Sequence, residues 1–290
     1  MSNLTDFIGH NIIRSATEPT DKTKFWFNET DFKLHYYDYT NLAWVETTKQ
    51  YITPTISVFD IFGDNSAVSL YQLDGNALDT GGAYNGILGG SATFSNGKYG
   101  QCVTNNAAED RNNTVILSSS GIPQISDGDI FSLSMWIKIP QTSTTTTVLN
   151  IFTATTGYSQ ANCGNRKRMI TFDSRNTPSY DIQYMEQPDG GTACQSGQPI
   201  VSFGITPDNT WHNIVVVKNG TSIITYTDGV QKNSSTGGYT GKTGMNNVTI
   251  LGEGGSSFNN DVRAKGNVDQ VRIFNRALTA TEVNTLYTEV

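Results

Sequence analysis

Three side chains with hard oxygen atoms stand close together in DGNALD, where Asp74, Asn76 and Asp79 flank Gly75. Such donors on one short loop suit calcium, which takes about six to eight oxygen ligands including backbone carbonyls. The same residue types also shape turns by bonding their own backbone, and the spacing leaves both readings open. The remaining acids on Gly-rich stretches, Glu186, Asp189 and Glu253, stand alone and read as solvated loop residues. His10, His35 and His212 are scattered; His212, in WHNIVVV, reads as structural. No GxSxG, HExxH or P-loop pattern is present, so these residues predict a protein that is not an enzyme.

Cysteine usage is equally restrictive. Three cysteines without a CxxC spacing exclude a zinc ribbon. Cys163 and Cys194 lie in the Gly/Asn/Ser-rich middle, where they could pair as a disulfide across a long insertion or equally stay free. Cys102 sits in a strand-like run and reads as a small buried apolar side chain.

The elements that must position these residues are mostly strands. Runs of five to nine residues punctuated by Gly, Asn and Asp predict an all-β fold, a two-sheet antiparallel sandwich. In FSLSMWIKI, Phe131, Leu133, Met135, Ile137 and Ile139 alternate with Ser132, Ser134, Trp136 and Lys138, so the first set faces the core. Trp136 then lies on the other face, to be covered by a second layer or by a closing helix. That helix is written at the end of the chain. Thr279 with Glu282 forms a capping box, Leu278 with Val283 a hydrophobic staple, and the helix begins at Ala280. Val283, Leu286 and Tyr287 give it one packing face.

Residues 1–52 read as a separate module. KFWFNETDFKLHYYDYTNLAWVE contains three aromatic runs separated by two polar turns, the pattern of a three-stranded meander. So small a sheet cannot cover Trp26, Phe32, Tyr36 and Trp44 by itself and needs a partner surface. Phe7, Ile8 and Ile12 belong to an apolar string before it, either an attachment peptide or a frayed end. Residues 53–64 read as a linker or first strand, and 65–290 as the large domain.

The totals limit the partners. The 290 residues suffice for a large β domain plus a small module. Net charge is −7, from 19 basic and 26 acidic residues, which leaves no basic stripe for nucleic acid or anionic lipid. No apolar run approaches the ~20 residues needed to span a bilayer, so no membrane insertion is expected. The start, MSNLTDFIGHNIIRS, lacks the features of a signal peptide, and the chain is expected to be made and left in a cytosol or to leave it by another route.

Several of these stretches, taken in order, resemble the laminin-G-like, concanavalin-A-like lectin/glucanase family. The carriers are VSLYQLDGNALDTGGAYNGIL from Val68, FSNGKYGQC from Phe94, FSLSMWIKI from Phe131, WHNIVVV from Trp211, YTDGV from Tyr226, and GNVDQVRIFNRALTATEVNTLY from Gly266. The resemblance implies a jelly-roll sandwich over roughly residues 65–290. It also implies a structural calcium in the Asp74 loop, completed by Asp269, and carbohydrate binding through exposed aromatic faces beside amides. Tyr158, Asn162, Tyr180, Tyr184, Tyr239 and Phe258, in or beside polar loops, are the candidates. Glucanases on this fold carry Glu-x-Asp-x-x-Glu, because two carboxyls about 5 to 5.5 Å apart must flank one glycosidic bond. This chain has no such pattern.

Pro19 followed by FWFN, LHYYD and AWVE is similar to aromatic hairpin modules of bacteriophage tail-fibre and virion structural proteins. This second resemblance implies a homotrimer attached to other virion proteins, of capsid or tail, through the N-terminal module. The expectation is a phage virion-surface protein, a capsid decoration, head-fibre or tail-fibre type, assembled in the host cytoplasm and displaying its large domain for adhesion to a cell-surface glycan. A monomeric cellular lectin is the alternative, and a glycoside hydrolase the least favoured.

Overall fold

The computed structural model describes residues 12–22, 25–30, 33–39, 42–46, 59–89, 92–105, 115–119, 121–141, 148–155, 166–173, 181–186, 199–241, 244–252 and 265–289. The chain divides into two compact units, Met1–Val58 and Phe59–Val290.

The first unit is a small sheet in the order β1-β2-β3-β4, with β1 Ile12–Ser15, β2 Phe25–Asn28, β3 Lys33–Asp38 and β4 Ala43–Glu46. The predicted meander is β2 to β4, paired antiparallel. The end of the apolar string adds a fourth strand, β1, parallel to β2. A parallel partner needs no tight turn, so the sequence gives no hairpin signal for it. Side chains two apart share a face, which lines up Trp26, His35, Tyr37 and Trp44. Trp26 lies 4.9 Å from His35 and 5.6 Å from Trp44 between ring centroids, and Tyr37 lies 5.5 Å from Trp44. Each such aromatic pair contributes about 0.5–1.5 kcal/mol beyond its buried area. Trp26 is buried, and its Nε1 donates to the Ser15 carbonyl at 3.0 Å.

The second unit is the sandwich. In chain order its described elements are β5 Ala67–Tyr71, β6 Ile87–Leu88, β7 Thr93–Asn96, β8 Gln101–Asn105, β9 Val115–Ser118, helix α1 Pro123–Ser126, β10 Ile130–Lys138, β11 Val148–Thr155, β12 Arg166–Asp173, β13 Ile182–Glu186, β14 Ile200–Ser202, β15 His212–Asn219, β16 Ser222–Thr227, β17 Val230–Ser235, β18 Asn247–Ile250, β19 Gly266–Phe274 and helix α2 Ala280–Thr288. One sheet runs β17-β16-β15-β10-β19-β8-β7, with β5 also on β19; the other runs β14-β13-β12-β11-β18-β9-β6. The strands within both sheets pair antiparallel.

The core lies between the sheets. Phe131, Leu133, Met135, Ile137 and Ile139 all enter it, as the alternation in β10 predicts, and meet Phe152, Ile170, Tyr184 and Ile250 from the facing sheet. The opposite face of the first sheet is covered by α2. Val215, Val217, Tyr226 and Phe274 form a second apolar cluster with Leu278, Val283 and Leu286. Trp136 is buried on this face, stacked on Tyr287 at 5.8 Å and met edge-on by Tyr99. The helix starts at Ala280. Both halves of its capping box form, since Thr279 Oγ1 accepts from Glu282 N at 3.3 Å and Glu282 Oε2 accepts from Thr279 N at 2.8 Å.

The expected linker 53–64 is shorter than the sequence suggests. Residues 59–64 belong to the sandwich unit, where Ile61 and Phe62 pack on the second cluster and Phe62 lies 5.4 Å from Phe274. Arg276 fixes this entry, with its guanidinium over the Phe62 ring at 5.2 Å and paired to Asp64 at 2.7 Å. Residues 53–58 lie outside the described residues.

Candidate functional site

The hard-oxygen loop does not converge on one point. Asp79 is buried, and its Oδ1 accepts from Leu70 N and Gly81 N, both at 3.0 Å, while Oδ2 accepts from Ala83 N and Tyr84 N, both at 3.1 Å. Four N–H donors occupy the lone pairs a cation would use, so Asp79 is a loop-closing carboxylate. Asn76 Oδ1 accepts from Leu78 N at 2.9 Å and shapes the turn. These two residues do not fit a calcium shell.

Asp74 and Asp269 do meet at one place, the β7–β8 turn. Asp74 Oδ1 accepts from Gln101 N at 2.5 Å, and Asp269 Oδ2 accepts from Lys98 N and Tyr99 N at 2.8 and 2.9 Å. Glycine is required on both sides of this turn. A Cβ on Gly97 would stand 2.6 Å from Asp269 Oδ2, and Gly100, at φ +59°, faces the Asp74 carboxylate. Asp269 is fully buried and its Oδ1 has no hydrogen-bond partner. Burial, with Asp74 nearby, pushes its pKa up to about 7 against the pull of the backbone N–H groups. Among the described residues no group of three or more His, Cys, Asp or Glu side chains is placed to hold a metal ion.

Glu186 departs from its expectation as a solvated loop residue. It ends β13 inside the sandwich, fully buried. Its Oε1 accepts from Arg168 Nε at 3.3 Å and from the Tyr184 hydroxyl at 2.8 Å; Oε2 accepts from Lys218 Nζ at 3.2 Å and from Tyr239 N at 2.8 Å. Register explains the group. Arg168 faces Glu186 across β12 and β13, and both point inward with Ile170 and Tyr184. Arg168 also donates to the Ile125 carbonyl, lies 3.7 Å from Asp129, and covers the Phe131 ring at 4.9 Å. Burial lowers the Lys218 pKa, with Glu186 opposing the shift, and raises that of Tyr184.

Tyr184 is therefore a core residue and presents no face to a sugar. It is an inward position of β13, which the alternation Ile182, Tyr184, Glu186 specifies. Tyr239 is placed differently. It is half-buried on the segment after β17, and this segment is anchored by Glu186, by Gly241 N donating to Asp129 Oδ2 at 2.9 Å and by Gly244 N donating to Asp127 Oδ1 at 2.6 Å. Of the two glycan candidates among the described residues, Tyr184 is buried and Tyr239 is partly exposed. Tyr158, Asn162, Tyr180 and Phe258 lie outside the described residues, as do Asp189, Glu253, Cys163 and Cys194.

His212 holds two connections together. Nδ1 lies 2.7 Å from Asp228 Oδ2, and Nε2 lies 2.9 Å from Thr210 Oγ1 and 3.3 Å from Asp208 Oδ2. Partial burial opposes the charged ring, but the bonds to Asp228 and Asp208 outweigh it, and the His212 pKa is raised. A shallow cleft beside it is lined by Ile137, Ile139, Ile182, Ile205 and Asp208. Cys102 is buried as expected.

In the first unit, Trp26 and Trp44 share the aromatic face, and Ile12 and Tyr36 fall in β1 and β3; Phe7, Ile8 and Phe32 lie outside the described residues. Tyr39 and Leu42 are exposed at the β3–β4 turn, 63% and 73% respectively, with Leu42 in the left-handed region at φ 52°.

The sandwich is similar in fold to several solved structures. Domain 4 of AbnA, a GH43 extracellular arabinanase from Geobacillus stearothermophilus solved with arabinotriose, matches with a TM-score of 0.56 at 20% identity. The match covers 77% of this chain and 98% of that one. A botulinum neurotoxin type C structure, whose cell entry depends on two ganglioside molecules, matches with a TM-score of 0.57 at 17% identity, over 77% and 50%. The serotype C1 binding domain gives 0.58 at 16%, over 77% and 52%. This chain thus spans about half the length of the neurotoxin chains, and at these identities the likeness is one of fold. No curated protein matches the sequence. The family model of the concanavalin A-like lectin/glucanases superfamily covers residues 109–284, more than half of the chain, and the protein belongs to that superfamily.

Proposed function

We propose that this chain is a non-enzymatic display protein in which a concanavalin A-like sandwich serves glycan adhesion and the N-terminal aromatic sheet serves attachment and oligomerisation, as on the surface of a phage virion. The observation that carries this reading is the two-part build. A sandwich of the concanavalin A-like superfamily is joined to a separate four-stranded sheet that gathers Trp26, His35, Tyr37 and Trp44 on one face and leaves Tyr39 and Leu42 exposed. Solved relatives of the sandwich bound to arabinotriose and dependent on gangliosides support a carbohydrate as the ligand class. Tyr239, on a segment pinned to Glu186, supplies a pre-positioned aromatic side chain at the surface. The engagement of Glu186 and Asp79 in internal bonds supports the non-enzymatic part.

Two measurements on the full chain test this. Light scattering, compared with residues 59–290, is expected to give a trimer for the full chain and a monomer for the shorter one. A glycan array is expected to retain the full chain, with retention weakened by Tyr239→Ala. Monomers in both samples with retained glycan binding favour a monomeric lectin. Release of sugar products from an arabinan or a β-glucan overturns the non-enzymatic reading. A structural calcium between Asp74 and Asp269 belongs to the same proposal. Its test is the melting temperature in chelator and in added calcium, where an unchanged melt removes it.

A further inference from the structure

His212 stands where two chain segments meet and has an acceptor at each ring nitrogen. On the Nδ1 side is Asp228, in the β16–β17 turn, whose Oδ1 also accepts from Asn213 N at 2.9 Å. On the Nε2 side are Asp208 and Thr210, from the segment between β14 and β15. Thr210 N and Oγ1 both donate to Asp208 Oδ1 at 2.8 Å. The Thr210 hydroxyl proton is thus committed to Asp208, which leaves its oxygen as an acceptor toward Nε2. Neutral imidazole carries one N–H, and imidazolium two. Only the imidazolium donates on both sides at once.

We propose that His212, clasped between Asp208 and Asp228, is a proton-operated latch that holds residues 208–210 against the end of the sandwich. The charged groups facing the ring are Asp208 from that segment and Asp228 from the turn. Strand β10 presents Ile137 and Ile139 to the adjoining cleft, and β13 presents Ile182. When the proton leaves, the Asp228 contact, the shorter at 2.7 Å, keeps the remaining N–H. Nε2 then turns a lone pair toward Asp208, so the direct bond to that carboxylate is lost, and the Thr210 hydroxyl can answer the lone pair only by giving up Asp208 Oδ1. The segment's backbone ties are the bond from Asn209 N to the Ile139 carbonyl at 2.9 Å, made by a residue at φ 64°, and the bond from Ile182 N to the Ile205 carbonyl at 2.8 Å. Asp228 keeps its bond from Asn213 N, so the turn stays. Residues 208–210, beyond the Ile205 bond and the buried Pro207, are therefore the part that loosens. The sign follows from the raised pKa of His212: the latch is closed at and below pH 6.5 and opens as pH rises through the folded-state value.

The test is a nitrogen-detected NMR titration of the three histidines in the full chain, with His212 assigned from H212Q, alongside amide exchange. His212 is expected to keep both ring protons at a pH where an ordinary histidine is half titrated. D208N and D228N are each expected to lower its proton affinity by about three- to tenfold. Exchange at residues 208–211 is expected to accelerate beyond the ordinary base-catalysed rise as His212 titrates, while β10 amides do not. H212Q is expected to abolish that step, with the segment open at every pH. A His212 midpoint at or below that of an ordinary histidine overturns the latch, as does exchange at 208–211 that ignores both titration and H212Q.

Discussion

Asp269 shows how one carboxylate can be held where its charge is unwelcome. Two backbone N–H groups bond Oδ2, yet Oδ1 is buried without a donor, and the folded pKa rises from the ordinary 3.8 to about 7. Between those values the native state holds a proton that the unfolded chain has released. Its contribution is fully present below pH 3.8 and is lost as pH rises through about 7. Asp269→Asn keeps an acceptor for Lys98 and Tyr99 and removes the titration. It is expected to flatten the stability profile in that window, measured by denaturant unfolding at several pH values. Glu186 is the opposite case, a buried carboxylate supplied with donors on both oxygens. Replacing it with alanine leaves Arg168 and Lys218 buried without their shared partner and is expected to cost about 3–5 kcal/mol. Tyr184→Phe removes a single hydrogen bond and is expected to cost about 1 kcal/mol. Equal effects in a denaturant series would mean that the ion pairs do not form as described.

Helix α2 is the element that finishes the sandwich. Its Val283 and Leu286 cover Val215, Val217 and Phe274, and Tyr287 closes over Trp136. It is short, so its start depends on the cap. Thr279→Ala is expected to cost about 1 kcal/mol, visible as a lower melting temperature and faster amide exchange confined to the helix. The cap also has an acid limit. The Arg276 side chain, through its hydrogen bonds, holds the Glu282 pKa down to about 2 from an ordinary 4.5, against partial burial. What Glu282 contributes is present above pH 4.5 and is lost as pH falls through about 2. Arg276 also pairs with Asp64, whose pKa is lowered by its bonds to Ser66 and by Arg276, so acid that protonates Asp64 loosens the entry of the chain into the sandwich.

At the scale of the molecule, the two units have different requirements. Phe59–Val290 has a core between its sheets and a second cluster under α2. Met1–Val58 has one small sheet whose Trp26, His35, Tyr37 and Trp44 cluster on a single face. If that sheet assembles copies of the chain, Trp44→Ala is expected to shift the full chain toward monomer in light scattering while the sandwich keeps its melting transition. A transition lowered in the sandwich itself would mean that the aromatic face serves folding within one chain. The described residues contain no helix long and apolar enough to cross a membrane.

Local chemistry made much of this legible in the sequence. The alternation in β10 set its core face because strand side chains repeat every two residues, and the Thr279–Glu282 box with its flanking Leu278 set the start of α2 because both signals act within one turn. Cys102 read correctly as buried, although its Sγ lies beside Ser95, Thr104 and Asn267 and not among apolar side chains. Glu186 was misread as a surface residue, since its partners Arg168 and Lys218 are 18 and 32 residues away and only sheet pairing and packing bring them together, and Tyr184, which donates to Glu186, was misread with it. The sequence likewise grouped Asp74, Asn76 and Asp79, and the family resemblance added Asp269. The fold turned Asp79 into its own loop and joined Asp74 to Asp269 at the Gly97–Gly100 turn. Short-range periodicity and capping belong to the sequence; which charges share a buried space belongs to the tertiary structure, because only the packing of distant strands decides which groups lose water together.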